Sequence, residues 1–176
     1  EQIPHVLQDA ITGTEDQHFF EHWGVDLPRV LEAAYRNLRV GRIQQGASTL
    51  TMQLAGGLFL DRSDRSPRRK IQETLLAIQI ERSYTKQQIF TMYVNQVYLA
   101  HGNYGMQAAS EYYFNRPVGK LTISQAALLA GLIRGPVYSP LLNPQRSLDR
   151  RNIVLSLLRE QGKITAQQFA AAKAEP

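Results

Sequence analysis

The sequence predicts a mainly α-helical fold, and three observations carry that prediction. Apolar residues recur at helical spacing along most of the chain, as in Val30, Leu31, Ala34 and Leu38. Helix start signals are frequent: Pro4, Asp26 with Pro28, Ser66-Pro67, Thr85, Ser124 and Thr165. No stretch shows strand-like alternation for more than a few residues. With 176 residues and 43% hydrophobic content, the chain is long enough for one domain with a real core, or for two small lobes.

Taken in order, Pro4 opens a helix running toward Thr14. Asp26 caps a second helix that Gly41 closes. Ser48 or Thr49 starts a short helix through Leu54, and Ser66-Pro67 one that reaches about Arg82. Thr85 caps the next, with Ile89, Met92, Tyr93 and Val97 on its apolar stripe. Another follows Gly105. Ser124 caps the Ala/Leu-rich run that ends at Ile133. Pro136, Pro140 and Pro144 break the chain before a helix from Arg146 to Gln161, and Thr165 starts the last. Val40 to Ala47, rich in Gly and Gln, and Leu60 to Ser66, charged and without apolar anchors, read as mobile.

The longest mostly apolar run, Ala126 to Ile133, is far shorter than the ~20 residues a membrane-spanning helix needs. The chain begins at Glu1 rather than Met, and residues 1–176 read as a single domain, either a mature domain or a fragment excised from a longer chain with room for an upstream anchor. The absence of cysteine excludes disulfides and thiol chemistry. The net charge of +5 is concentrated at Arg62, Arg65, Arg68, Arg69 and Lys70, which is either a solvated helix face or a cluster suited to phosphate groups. Aromatic residues are not interleaved with it, so nucleic acid is not the expected partner.

Two carboxylates stand in dense polar frames. Glu15 and Asp16 precede Phe19, Phe20, His22, Trp23 and Gly24. An aromatic wall around a carboxyl raises its proton affinity toward what a general base needs. Glu73 follows Arg69 and Lys70 at helical spacings of four and three, which makes either an ion pair or a cationic grip on a diphosphate. Between them, Gly46, Ser48, Thr49, Thr51 and Gln53 offer hydroxyls and an amide around a helix start, a setting for a phosphate or sugar oxygen or for an ordinary cap. Tyr93, Asn95 and Tyr98 ride on an apolar helix, and Arg150-Arg151 precede an apolar stripe that suits a structural bridge or a ligand contact. His18 and His22 have metal-ligand spacing, but no third ligand accompanies them.

In this order, the frames resemble the five signature motifs of the peptidoglycan glycosyltransferases (glycosyltransferase family 51), found in class A penicillin-binding proteins and monofunctional transglycosylases. The first is matched by Glu15, Asp16, Phe19, His22 and Gly24, and the second by Gly46 to Gln53. The third is matched by Arg69, Lys70 and Glu73, the fourth by Tyr93, Asn95 and Tyr98, and the fifth by Arg150, Arg151, Asn152, Val154 and Leu155.

The resemblance implies a lysozyme-like helical domain with a head lobe and a smaller, membrane-dipping jaw lobe. It implies polymerisation of lipid II into β-1,4-linked glycan with inversion and release of undecaprenyl pyrophosphate, at the extracytoplasmic face of the bacterial cytoplasmic membrane (the periplasm in a Gram-negative). Glu15 is then the general base. Glu73, Arg69 and Lys70 assist the leaving diphosphate, with a divalent cation (Mg, Mn or Ca) at Glu73 and no organic cofactor. Asp16, Phe19, His22, Gly46, Ser48, Thr49, Thr51, Gln53, Tyr93, Asn95, Arg150 and Arg151 line the substrate. The implied partners are lipid II, the growing glycan chain, the membrane surface and other cell-wall synthesis proteins.

The chain departs from the family pattern. Met52 stands where glutamine is usual, Gly56-Gly57 where lysine and asparagine are common, Gln17-His18 near a common arginine, and Ala100 at a usual glycine. A binding or scaffold domain of the same fold therefore stays open as an alternative, and a glycan-cleaving enzyme as a third reading. The polymerase reading requires Glu15 and Glu73 to open into one groove.

Overall fold

A computed structural model describes residues 3–40, 47–61, 63, 64 and 66–175, except the side chains of Asn37 and Val40. Gly41, Gly46 and most of the segment expected to be mobile after Val40 lie outside them, as do Arg62 and Arg65. Among the described residues there are nine α-helices: α1 (His5–Glu15), α2 (Leu27–Val40), α3 (Leu50–Phe59), α4 (Pro67–Ser83), α5 (Lys86–Gln96), α6 (Met106–Phe114), α7 (Ile123–Leu132), α8 (Pro144–Glu160) and α9 (Ala166–Ala174). The single β feature among them is an isolated bridge between Tyr98 and Tyr104.

The helix starts follow from local hydrogen bonding. Ser66 accepts from the Arg69 amide, and Thr49 from the Met52 amide. Three Thr-to-Gln capping boxes, Thr85/Gln88, Thr122/Gln125 and Thr165/Gln168, satisfy amide donors reciprocally. The cap of α7 is thus Thr122 and not Ser124, because only Thr122 stands three residues before a glutamine that can return the bond. Helix α3 continues past Leu54 to Phe59, through Gly56 and Gly57. Packing of α3 on α4 overrides the low helical preference of the two glycines.

The chain forms two compact units, Glu1–Gln17 with Val94–Pro176, and His18–Tyr93. In the first, α7 packs against α1 and α8, with α6 and α9 completing the core. Ala126, Ala127, Ala130 and Gly131 give α7 a small-residue surface that lets its neighbours approach closely. Leu7 and Ile11 of α1, Leu129 of α7, and Leu155 and Leu158 of α8 are fully buried. Each such side chain contributes roughly 1.5–3 kcal/mol through burial.

The second unit has a smaller core around Phe19, Leu50, Ala55, Ala77, Ile89 and Phe90. The rings of Phe19 and Phe90 meet at 6.2 Å between centroids. Helix α5 buries Ile89, Phe90, Tyr93 and Val94, a stripe rotated from the expected one; Val97 lies beyond the helix. The apolar stripe of α2 is not core at all. Leu31 is 70% and Leu38 83% exposed, and Leu27, Val30 and Tyr35 are exposed beside them.

Candidate active site

The first unit carries Glu15 at the C-terminal end of α1. Its side chain is only 16% exposed, and its Oε1 lies 4.0 Å from Nη2 of Arg150 on α8. The stem of Arg150 passes α7 at Gly131, where a β-carbon would lie 3.0 Å from Arg150 Cγ. Burial pushes the Arg150 guanidinium below its ordinary pKa, Arg134 pushes the same way, and Glu15 opposes both. Helix α1 is pinned near Glu15 by Gln161, whose Nε2 donates to the Gly13 carbonyl at 3.1 Å, and farther back by the Lys163–Asp9 pair at 3.0 Å. Asp16 is fully buried, and its amide donates to the Thr12 carbonyl at 2.8 Å.

Arg151 serves the fold. It is 3% exposed and donates to Ser124 Oγ and to the Lys173 and Glu175 carbonyls, tying α8 to the end of α9. Asn95, also in this unit, is exposed near the end of α5.

The second unit assembles the cationic cluster. Both oxygens of Glu73 accept, Oε1 from Arg69 Nε at 3.1 Å and Oε2 from Lys70 Nζ at 2.7 Å. Lys70 Nζ also donates to Ser48 Oγ at 2.6 Å, joining the start of α3 to α4. Arg69 Nη1 donates to the Asp61 and Asp64 carbonyls, so the guanidinium holds the preceding loop as well as Glu73. In that loop, bonds from Ser63 hold the Asp61 carboxyl below its ordinary pKa, and bonds from Ser66 do the same for Asp64. Lys70 is half-exposed, whereas Arg69 and Glu73 are mostly buried. The arrangement presents an ammonium and a hydroxyl on a rigid base, a geometry suited to an anionic oxygen.

Other motif residues tie segments of the same unit together. Thr49 donates to the Gly24 carbonyl at 2.7 Å while capping α3. Thr51 donates to Glu81 Oε1 at 2.6 Å, and Lys86 Nζ donates to the same oxygen at 2.7 Å. Lys86 also lies 4.6 Å from the Phe19 ring centroid and 3.5 Å from His22 Nδ1. Gly24 has φ +106, and a β-carbon there would meet the Ala77 backbone at 3.2 Å, so the close approach to α4 requires glycine. Tyr93 is buried, and its hydroxyl donates to Gln53 Oε1 at 3.0 Å.

Thus Phe19, Thr49 and Thr51 are wholly buried, and whatever they do for a substrate passes through the groups they hold. Met52 is also buried, so this departure from the family pattern alters the interior of the unit. Sequence reasoning missed Glu81, Lys86, Gly131 and Gln161. Gly131, a glycine inside a helix, is the one with a readable signal, because such a residue marks a close approach.

A family model described as Transglycosylase matches residues 1–159. The chain belongs to the transglycosylase family. Among the relatives of this transglycosylase, penicillin-binding protein 1A of Aquifex aeolicus is 46% identical over 100% of this chain and 24% of its own length. Penicillin-binding protein 1A of Streptococcus oralis is 47% identical over 97% of this chain and 27% of its own length. The chain thus spans about a quarter of the length of these curated relatives. The crystal structure of penicillin-binding protein 1A from Haemophilus influenzae matches 72% of this chain and 16% of that one, with TM-score 0.51 and 28% identity.

The lysozyme-like helical fold expected from the motifs agrees with this transglycosylase neighbour. Family membership places the chain with the transglycosylases.

Proposed function

We propose that residues 1–176 form one catalytic domain that polymerises lipid II. The 4-hydroxyl of the acceptor sugar attacks the anomeric carbon of the growing chain. Glu15 accepts the hydroxyl proton, the new β-1,4 bond forms with inversion, and the bond to the diphosphate breaks. Undecaprenyl pyrophosphate leaves toward Lys70 and Arg69. Glu15 serves as the base from the first unit, and Glu73 orders the cations of the second. The observation that carries the reading is the Ser48–Lys70–Glu73–Arg69 cluster in a chain of this family. A cation cluster stabilises the charge that develops on a departing diphosphate, whereas a hydrolase of preformed glycan has no such group to hold.

A resident divalent-ion site does not fit the residues. Among those described, no group of three or more His, Asp or Glu side chains is placed to hold a metal, and both Glu73 oxygens already accept from cations. A magnesium ion entering with the diphosphate would rely on substrate oxygens and water. No step proposed here passes through it.

The uncovered face of α2 supports a membrane surface as partner, on the extracytoplasmic side. Leu58 and Phe59, at the end of α3, are exposed in the same unit. No helix among the described residues is long and apolar enough to cross a membrane. Other cell-wall synthesis proteins are proposed partners by family alone.

The test is incubation of purified protein with lipid II in detergent or vesicles. Glycan polymer and undecaprenyl pyrophosphate are expected. Binding without polymer favours the scaffold reading, for which Met52 and Gly56-Gly57 speak. Soluble fragments released from preformed glycan favour a hydrolase.

A further inference from the structure

We propose that Gly56 is a positioning residue for Glu73, and through it for the lysine and arginine that meet the diphosphate; the inference rests on the function proposed above. Gly56 lies inside α3 and is buried. A helical glycine costs about 1 kcal/mol relative to alanine, and the structure shows what that residue makes possible. A β-carbon on Gly56 would lie 2.8 Å from Glu73 Oε1, 3.2 Å from Cδ and 3.3 Å from Cγ. The end of the Glu73 side chain occupies the volume that any side chain at position 56 would take.

The atoms in conflict belong to the flexible end of a side chain, with no backbone among the three. A substitution at Gly56 therefore spares the helices and moves the carboxylate. That carboxylate accepts from Arg69 through Oε1 and from Lys70 through Oε2, so a shift of it disturbs the bonds that order both cations. Lys70, still within reach of Ser48, then loses its countercharge. Its ammonium holds an incoming or departing diphosphate more tightly, and Glu73 no longer sets its place.

This reading opposes the one that the sequence alone offers, in which Gly56 marks a missing cation. The two disagree about Gly56→Lys. If only a charge is missing, the added ammonium raises activity. If Gly56 makes room, the new side chain displaces Glu73 and competes with Arg69 and Lys70 for it, and activity falls.

The experiment combines steady-state polymerisation of lipid II with direct calorimetric binding of inorganic pyrophosphate. Gly56→Ala is expected to lower kcat about tenfold, to tighten pyrophosphate binding about threefold by removing the competing carboxylate, and to leave the protein folded, alanine's helix preference offsetting part of the loss around the displaced carboxylate. Gly56→Lys is expected to fall below the unaltered protein in kcat. In the Glu73→Asp background the shorter side chain withdraws from position 56, so the effect of Gly56→Ala shrinks and the pair is non-additive.

Unchanged kcat and pyrophosphate affinity in Gly56→Ala overturn the proposal. So does a Gly56→Lys variant faster than the parent, or strict additivity with Glu73→Asp. Should the parent protein form no polymer, the polymerase reading fails, while the pyrophosphate arm still decides whether Gly56 sets the Glu73 cluster.

Discussion

Nη2 of Arg150 stands 4.0 Å from Oε1 of Glu15, with both side chains largely buried. This is a charge pair held by packing at a distance too long for a hydrogen bond. The route of the Arg150 stem past Gly131 fixes where the guanidinium ends. Removing one member of a buried charge pair leaves the other charge unpaired and costs about 3–5 kcal/mol. Arg150→Met is therefore expected to fold with a lowered thermal midpoint and to lose about ten- to a hundredfold in kcat per folded molecule. Arg150→Lys keeps the charge and is expected to retain more of the rate. A kcat per folded molecule equal to the parent's in Arg150→Met would assign Arg150 to the scaffold.

Asp26 provides a pH test of the second unit. It is 2% exposed, accepts from the Arg29 amide at 3.1 Å as a helix cap, and pairs with His18 Nδ1 at 2.8 Å. Burial pushes its pKa up, but the His18 bond, the Arg29 amide and the nearby His22 together hold it below the ordinary 3.8. A depressed carboxyl contributes stability above its unfolded pKa and loses it as the folded group protonates. The contribution is therefore complete above about pH 4 and vanishes at more acid pH. Asp26→Ala is expected to cost about 1–2 kcal/mol near neutrality, and less as the pH drops below the ordinary carboxyl value. Urea denaturation at several pH values reads this directly.

Ala100 carries backbone strain, with φ +64, followed by His101 at φ +49. Left-handed backbone costs a non-glycine residue roughly 1–2 kcal/mol. Ala100→Gly relieves that, but removes a buried methyl worth about 0.8 kcal/mol and adds unfolded-state freedom worth about 0.4–1 kcal/mol. The terms nearly cancel, so Ala100→Gly is expected within about 0.5 kcal/mol of the parent. Ala130→Gly, at an equally buried helical position, is expected to cost about 1.5–2 kcal/mol. Equal losses at the two sites in denaturant titrations would contradict the strain.

The uncovered stripe of α2 gives a membrane prediction. Leu31→Ser with Leu38→Ser alters residues that are 70% and 83% exposed, so stability should hold. Cosedimentation with anionic vesicles is expected to weaken about tenfold or more, given ~0.8 kcal/mol per buried methylene. Undiminished vesicle binding would remove α2 from the membrane surface.

Much of the helical layout was legible because its causes are local. Ser66, Thr85 and Thr165 each announce a helix through bonds to residues three positions on. Ser124 misled because a hydroxyl alone does not cap; Thr122 does, with Gln125 returning the bond. The extent of α3 was illegible from its glycines because its partner α4 sustains it. The site divides the same way. Arg69, Lys70 and Glu73 share a helix face, so their cluster is readable from spacing. The Thr51–Glu81–Lys86 network and the Arg150–Glu15 approach join distant segments, and spacing says nothing about them. Periodicity likewise reveals that α2 has an apolar face, but not that the second unit leaves it uncovered.

The most direct measurement is polymerisation of lipid II by the parent protein and by Glu15→Gln, alongside pyrophosphate binding to both. An amide cannot accept the acceptor hydroxyl's proton, so polymer is expected to fall at least about a hundredfold while pyrophosphate affinity stays at the parent level. Polymer formed by Glu15→Gln at the parent rate would contradict the account.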